Sequence, residues 1–163
     1  MHEQYINYFI DENRKVPWII RKENKGWKYR KYKPISNMEV VDHLNQQYHV
    51  GIYRKTSSYF FLDLDNKSHP TKFILPLEER FTKVSSSFPV SPQIIQSSDS
   101  KGLHAYYFFD KSYLVDQIKP IIIRRLQRMG IILEDGQYEL FPTFKGNGHR
   151  LPFGKDSYLL DSN

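Results

Sequence analysis

The sequence contains no cysteine. A chain without thiols forms neither a disulfide framework nor a cysteine-ligated zinc site. The absence is consistent with a reducing compartment, and we expect a cytoplasmic protein. Long apolar runs are also missing, since none approaches the roughly 20 residues that a membrane-spanning helix needs. The N-terminus, MHEQYINYF, does not have the layout of a secretory signal.

Acidic residues are outnumbered by basic ones, 18 to 24, which gives a net charge of +6. The excess is concentrated between Arg14 and Lys33, where nine basic residues accompany a single acid, Glu23. Four aromatic residues are interleaved with them: Trp18, Trp27, Tyr29 and Tyr32. Cations that contact phosphates and flat rings that stack on bases are typical of a nucleic-acid contact surface. The alternative is a solvated hairpin whose aromatic side chains face the core.

The first half of the chain is predicted to combine short strands with two helices. The pattern SNME at 36–39 is a capping box, in which a serine caps a helix and a glutamate three residues later caps the serine. The predicted elements are an amphipathic helix at 2–13 with Tyr5, Tyr8 and Phe9 on one face, two strands within 16–33 around a turn at 24–26, a helix from Ser36 to about Gln47, and strands at 49–55 and 58–65 that pair as a hairpin.

The second half of the chain is also predicted to combine short strands with helices. Gly130 is a plausible helix stop, and Pro120 should kink the helix that it interrupts or break it into two. The predicted elements are a helix around 75–84, strands at 93–98 and 103–109 joined by a turn at 99–102, a long helix at 112–130, and a strand, Gly-rich loop and strand within 138–154, with no terminal element at 157–163. Hairpins mixed with helices favour an α+β fold on a largely antiparallel sheet. The length fits one domain, 1–163.

Two carboxylates end the apolar run YFFLDLDNK at 59–67. Because side chains alternate along a strand, Asp63 and Asp65 should share a face. Paired carboxylate oxygens suit hard divalent cations. The alternative is an ordinary acidic turn, with Asn66 and Lys67 as turn residues.

Two later stretches carry residues suited to binding an anion. SSDSKGLHAYYFF at 97–109 brings His104 to the start of an aromatic strand after a polar turn. In that turn, Ser98, Ser100 and Lys101 could donate to an anion, and Gly102 would let phosphates approach the backbone. YELFPTFKGNGHRLPFG at 138–154 offers a further acid and, around two glycines, three basic side chains: Glu139, Lys145, His149 and Arg150. Considered one at a time, these stretches are equally consistent with a hairpin turn that contains a histidine, an exposed glutamate and a basic loop.

The three motifs together, in this order, resemble the archaeo-eukaryotic primase superfamily, the primase-polymerases, and in particular the primases of mobile elements, phages and conflict-system replicons. HVGIYRKTSSYFFLDLDNK resembles the strand that leads into the catalytic D-x-D, and KGLHAYYFF the histidine motif. YELFP and GHRLPFG resemble the third acidic motif and the tail of the catalytic core. The resemblance covers residues 48–154.

The resemblance implies a role for each matching residue. Asp63, Asp65 and Glu139 match the catalytic, metal-binding acids, although relatives often have Asp at the third position. His104 matches the histidine that contacts the nucleotide's phosphates, and Arg150 stands where a basic residue near the nucleotide is expected. Many relatives have serine two positions before this histidine, where this chain has Gly102, so Ser100 or a backbone N–H would supply that contact. The implied nucleotide-binding residues are His104, Arg150, Ser100, Lys101 and Gly102.

The implied fold is a pair of α/β halves, the second with an antiparallel sheet like that of RNA-recognition motifs, with the active site in the cleft between them. The implied activity is that of a DNA primase or primase-polymerase, a nucleotidyltransferase that uses two Mg²⁺ or Mn²⁺ ions, nucleoside triphosphates and a single-stranded DNA template. A helicase domain or a replication protein is a further implied partner, and the chain could be the N-terminal part of a longer replication protein. The helix ending RRLQR would pack behind the second sheet, with Arg124, Arg125 and Arg128 on its solvated face.

Other functions remain open on the sequence alone. One is a catalytically inactive nucleic-acid-binding module with the same fold, although such a binder gains little from carboxylates that face phosphates. Another is a D-x-D phosphatase of the haloacid-dehalogenase type, which would have Thr or Ser at the position of Lys67. Metal-dependent glycosyltransferases also use D-x-D, but nothing in the sequence suggests a nucleotide-sugar fold.

Overall fold

The computed structural model describes residues 2–10, 18–21, 26–30, 33–66, 75–97, 101–134, 137–143 and 148–160. In these residues it contains four helices and nine strands. The helices are α1 (His2–Phe9), α2 (Asn37–Leu44), α3 (Leu77–Ser85) and α4 (Val115–Arg128). The strands are β1 (Trp18–Arg21), β2 (Lys28–Arg30), β3 (His49–Ile52), β4 (Thr56–Leu64), β5 (Gln93–Gln96), β6 (Leu103–Leu114), β7 (Glu139–Phe141), β8 (His149–Arg150) and β9 (Tyr158–Leu159).

The strands form two sheets in which every pairing is antiparallel. The first sheet has the order β2-β1-β3-β8, and the second has the order β7-β4-β6-β5-β9. The expected α+β class with antiparallel sheets is therefore confirmed. No helix among the described residues is long and apolar enough to cross a membrane.

The second sheet is buried on both faces. On one face, Tyr59, Phe61 and Tyr106 join a core that includes α1, α2 and the inward side chains of β1 and β3. On the other face, Phe60 and Leu62 join a core that includes α3 and α4. Alternate residues of β4 thus belong to different cores, which explains why its sequence is almost continuously apolar.

The sequence signals for helix ends are confirmed. Ser36 accepts the N–H of Glu39 at 3.2 Å, and the Glu39 carboxylate accepts the N–H of Ser36 at 2.8 Å, which completes the capping box. Past the end of α4, Gly130 has a φ of +72°, the left-handed conformation that glycine adopts without strain. Pro120 lies inside α4, which continues as one helix, so of the two expected outcomes, a kink or a break into two helices, the break does not occur. Arg124, Arg125 and Arg128 are exposed, as expected.

Three other predictions were wrong. The strands β3 and β4 do not form a hairpin, because each has two other partners, and the chain between them crosses from one sheet to the other. Arg54 is buried at this crossing and donates to the carbonyl oxygens of Phe9 and Thr56, so it fixes the connection. The segment 112–114 continues β6 instead of starting a helix, since Thr56 and Ser57 pair with it. The C-terminal stretch contains β9, which pairs with β5.

The basic and aromatic segment divides between core and surface. Trp18 is fully buried, so it cannot contact a ligand. Trp27 and Tyr29 are exposed, at 39% and 53%, and Lys28 and Arg30 are exposed beside them on β2, at the edge of the first sheet. The predicted turn at 24–26 and Tyr32 lie wholly or partly outside the described residues.

A buried histidine ties α2 to the C-terminal loop. His43 accepts the N–H of Val50 at Nδ1, at 3.1 Å, and its Nε2 lies 3.0 Å from the carbonyl oxygen of Pro152. Nδ1 is then an acceptor and Nε2–H a donor, which is the pattern of a neutral imidazole. The packing is tight, because a Cβ on Gly154 would lie 2.2 Å from His43 Cε1.

We expect the free energy of unfolding to fall as the pH drops below about 6.5. Burial lowers the pKa of His43 and lowers the pKa of His149 well below the ordinary value of 6.5. In the unfolded chain both groups bind protons near pH 6.5, so their contribution is fully present above that pH and is lost progressively below it. Urea unfolding between about pH 8 and about pH 5 measures the effect. His43→Gln should make the dependence shallower, and a stability that is the same across this range would contradict the explanation.

Candidate active site

A cavity of about 170 Å³ opens where the two sheets meet. The second sheet and its loops contribute Phe61, Asp63, Asp65, Ser97, His104 and Phe141. The first sheet and its loops contribute Trp27, Gly148, His149 and Arg150. The predicted cleft between two halves is therefore present, and it gathers residues from all three sequence motifs.

The D-x-D motif lies at the end of the central strand β4. Asp63 is paired with His104 on one neighbouring strand and with Glu139 on the other. Directly opposite residues in antiparallel strands present their side chains on the same face, so these three polar residues form a row across the sheet. Both Asp63 and Asp65 line the cavity.

Asp63 and His104 contact each other at the base of the cavity. The Nε2 atom of His104 is 3.4 Å from Oδ2 of Asp63. The imidazole is 3% exposed and packs against Phe61 with ring centroids 4.7 Å apart. Among the described residues, neither Oδ1 of Asp63 nor Nδ1 of His104 has a hydrogen-bond partner, although both atoms are buried. A buried polar atom without a partner is costly, and a bound ligand would remove that cost.

Arg150 brings positive charge to the opposite wall of the cavity. Its Nη1 donates to the carbonyl oxygen of Ser97 at 2.9 Å, and its guanidinium lies over the ring of Trp27, 6.0 Å from the centroid. His149, the neighbouring residue, is 2% exposed, and its Nε2 lies 2.8 Å from the hydroxyl of Tyr59. Because burial, then Arg54 and then His104 lower the pKa of His149, this imidazole is neutral and adds no charge. Lys145 lies outside the described residues.

Glu139 is near the D-x-D motif along the sheet but lines a different cavity. That cavity, of about 230 Å³, lies at the outer edge of the second sheet and includes Lys119, Glu134 and Tyr138. Among the described residues, no three His, Asp or Glu side chains are arranged as a ready metal-binding group. The role of Glu139 as a third metal ligand stays a prediction.

The turn before His104 is described at Ser97, Lys101 and Gly102. Ser98 and Ser100 lie outside the described residues. Lys101 is exposed with a φ of +58°, and Gly102 is buried. The turn is closed by the N–H of Ser97, which donates to the carbonyl oxygen of Gly102 at 2.8 Å. Among the described residues, Ser97 is the serine that lines the cavity.

Comparison with known proteins decides the family. A family model described as "TOTE conflict system, Archaeo-Eukaryotic Primase domain" matches residues 2–146. The chain belongs to this primase-domain family. Among solved structures, the chain is similar to the AEP domain of the primase-polymerase of cyanophage S-2L, with a TM-score of 0.56 and 10% sequence identity, over 99% of this chain and 88% of that one. A search of curated proteins gives no significant match.

A buried arginine behind the site of this primase domain was missed from the sequence. Arg80 on α3 is 2% exposed and donates to the backbone carbonyl oxygens of Leu75, Asp65 and Gln137. It therefore anchors the end of β4, where the D-x-D motif stands, to two loops. The signal was present, because Arg80 lies three residues after Leu77 and four before Val84, on the apolar face of the helix.

We expect Arg80→Met to destabilise the primase domain by about 2–3 kcal/mol, since three partly buried carbonyl oxygens would lose a charged donor. Arg80→Lys should recover little, because one ammonium cannot replace a planar guanidinium at three acceptors. Chemical denaturation measures both changes. Arg124→Met on the exposed face of α4 is the matched control and should change stability by no more than about 0.5 kcal/mol. Equal effects at the two positions would contradict the anchoring role.

Proposed function

We propose that the chain is a template-directed nucleotidyltransferase, a DNA primase or primase-polymerase that adds nucleoside triphosphates to a 3′-hydroxyl on single-stranded DNA. The observation that supports this most directly is that Asp63, Asp65 and His104 line one cavity between the two sheets. Family membership supplies the chemical context, since this is the primase domain of the archaeo-eukaryotic type.

The donor atoms at the cavity fit a hard divalent cation. Asp63 and Asp65 offer carboxylate oxygens, which Mg²⁺ and Mn²⁺ prefer, and Oδ1 of Asp63 is buried with no partner among the described residues. When bound, such ions lower the pKa of an attacking hydroxyl and neutralise a departing pyrophosphate. We propose Asp63 and Asp65 as the principal ligands and Glu139 as the third, reached from the adjacent strand.

The remaining residues of the cavity would bind and orient the nucleotide. Phe61 and Asp63 contact the ring of His104, and its Nδ1 is buried without a partner among the described residues, so we propose this nitrogen as the contact to a bound nucleotide. Arg150 brings its guanidinium to the wall opposite the carboxylates, where it would balance the charge of a triphosphate. We propose His104, Arg150 and the turn at Lys101 and Gly102 as the phosphate-binding side of the site, and the role of Ser100 stays a prediction.

The exposed part of the basic and aromatic segment would guide the template. Trp27 lines the cavity and is also partly exposed, so it connects the site with the surface of β2. Tyr29, Lys28 and Arg30 extend this surface away from the cavity. Rings that stack on bases beside cations that contact phosphates bind single strands with little sequence preference.

A catalytically inactive nucleic-acid-binding module is the second candidate. It is favoured by one observation, the lack of a ready three-ligand metal group among the described residues. The phosphatase interpretation is not proposed, because the chain belongs to the primase-domain family. A helicase domain or replication protein as partner stays a prediction.

We expect Asp63→Asn combined with Asp65→Asn to abolish synthesis on single-stranded DNA with Mg²⁺ or Mn²⁺, because neutral amides bind these cations poorly. The assay is incorporation of labelled nucleotide with and without a primer. Asp110→Asn, an exposed acid on β6, is the matched control and should keep full activity. Glu139→Gln tests the third ligand and should also reduce synthesis strongly.

Unchanged synthesis in the Asp63/Asp65 double variant would place the chemistry elsewhere. A wild-type chain that binds DNA but makes no product with either metal would favour the inactive binding module. Retained activity in Glu139→Gln alone would remove only that residue from the proposal.

We expect Trp27→Ala to weaken binding of single-stranded DNA by about tenfold, since stacking on an aromatic ring contributes on the order of 1–3 kcal/mol per base. Lys28→Gln with Arg30→Gln should instead make binding less sensitive to salt, because fewer counterions are released. Fluorescence anisotropy with a short labelled oligonucleotide measures both. Tyr158→Ala, which removes an exposed ring on β9, is the control. An equal loss in that variant would contradict a specific stacking surface on β2.

A further inference from the structure

Ser97 and Gly102 share one small volume beside the D-x-D motif. A Cβ added to Gly102 would lie 2.9 Å from Oγ of Ser97, 3.1 Å from the carbonyl oxygen of Leu64 and 3.6 Å from Cα of Asp65. The first distance is shorter than real Cβ contacts, so a side chain at position 102 requires the Ser97 hydroxyl to move, and the second distance, to a backbone atom, is tight whatever residue 97 is. The hydroxyl of Ser97 therefore fills the space that a side chain at position 102 would occupy.

Ser97 lies at the edge of the candidate active site. Ser97 is 6% exposed and lines the same cavity as Asp63, Asp65 and His104. Its backbone is held on both sides, because its N–H donates to Gly102 and its carbonyl oxygen accepts from Arg150. The serine is thus placed next to the guanidinium and next to the end of β4.

We propose that Ser97 is a phosphate-binding residue of the nucleotide site, with its hydroxyl donating to an oxygen of the triphosphate. The proposal deepens the proposed function and rests on it for the identity of the ligand. A hydroxyl can donate to an anion without bringing charge, and Arg150 beside it supplies the positive charge that attracts the phosphate. Gly102 is then required because it leaves space for this donor.

Because the side chains of residues 97 and 102 would share this volume, the hydroxyl can be moved from position 97 to position 102 as a test. In Ser97→Ala the hydroxyl is lost and the space beside residue 102 is vacated. Adding Gly102→Ser returns a hydroxyl to the same small volume from the other side of the turn, because its Cβ would lie 2.9 Å from the original position of Ser97 Oγ. The matched control is Ser97→Ala with Gly102→Ala, which fills the same space without a hydroxyl.

We expect Ser97→Ala to weaken binding of dATP and of inorganic tripolyphosphate by about tenfold, which is typical of losing a hydrogen bond to a charged group. Ser97→Ala/Gly102→Ser should recover most of this loss, and Ser97→Ala/Gly102→Ala should not. Isothermal titration calorimetry measures the affinities, and thermal unfolding checks that the three variants are folded. In the synthesis assay the same order should appear in KM for the nucleotide.

Equal tripolyphosphate affinity in wild type and Ser97→Ala would overturn the role of Ser97 and leave the polymerase proposal intact if synthesis persists. Equal affinities in the two double variants would also overturn it, because the hydroxyl would then not matter. If tripolyphosphate binding depends on Ser97 but no synthesis occurs under any metal, the phosphate site is supported and the polymerase activity fails. If wild type binds neither probe, the proposal for Ser97 is overturned.

Discussion

The burial of β4 on both faces and along both edges is the constraint on which the rest of the structure depends. Tyr59 and Phe61 belong to one core, Phe60 and Leu62 to the other, and β6 and β7 occupy the two edges. In a strand that is enclosed in this way, polar side chains can leave the core only at an end of the strand. The D-x-D motif stands at that end, so the position of the carboxylates is set by the packing of the whole sheet. Arg80 strengthens this arrangement by binding the backbone of Asp65 from the helix side.

The same packing explains why the site needs both sheets. The second sheet provides the carboxylates and His104, which lie in one row across neighbouring strands. The first sheet provides Arg150, whose guanidinium reaches across to the carbonyl oxygen of Ser97. This hydrogen bond joins the two sheets at the cavity. The second sheet alone would supply only the acids, and the first sheet alone would supply only the basic Arg150. A triphosphate that binds together with cations needs both.

Much of the local structure could be predicted from the sequence because local signals decide it, whereas the cavity was predicted from the resemblance of the three ordered motifs to the primase superfamily. The capping box at Ser36, the stop at Gly130 and the alternation along β4 all depend on neighbours within a few residues. The pairing of β3 could not be predicted this way. It depends on which of several strands, distant in sequence, pairs most favourably with β3. In the structure β1 and β8 pair with β3, and β4, the next strand in the chain, does not. Ser97 was missed for a related reason: the hairpin register, rather than sequence spacing, brings it opposite Gly102 and into the cavity.

Three of the six buried side-chain polar atoms that lack a partner among the described residues lie on one face of the second sheet. Within the described part of the chain, Oδ1 of Asp63, Nδ1 of His104 and the hydroxyl of Tyr106 are buried without a hydrogen-bond partner. Asp63 and His104 are paired across the strands, and Tyr106 follows two residues later on the same face. Each such atom reduces stability, and stable proteins keep few of them. Their clustering beside a cavity of about 170 Å³ indicates that the folded chain retains this cost for a ligand. Stability alone would favour apolar residues at these positions, so the polar row is better explained by the chemistry of the site than by the packing of the core.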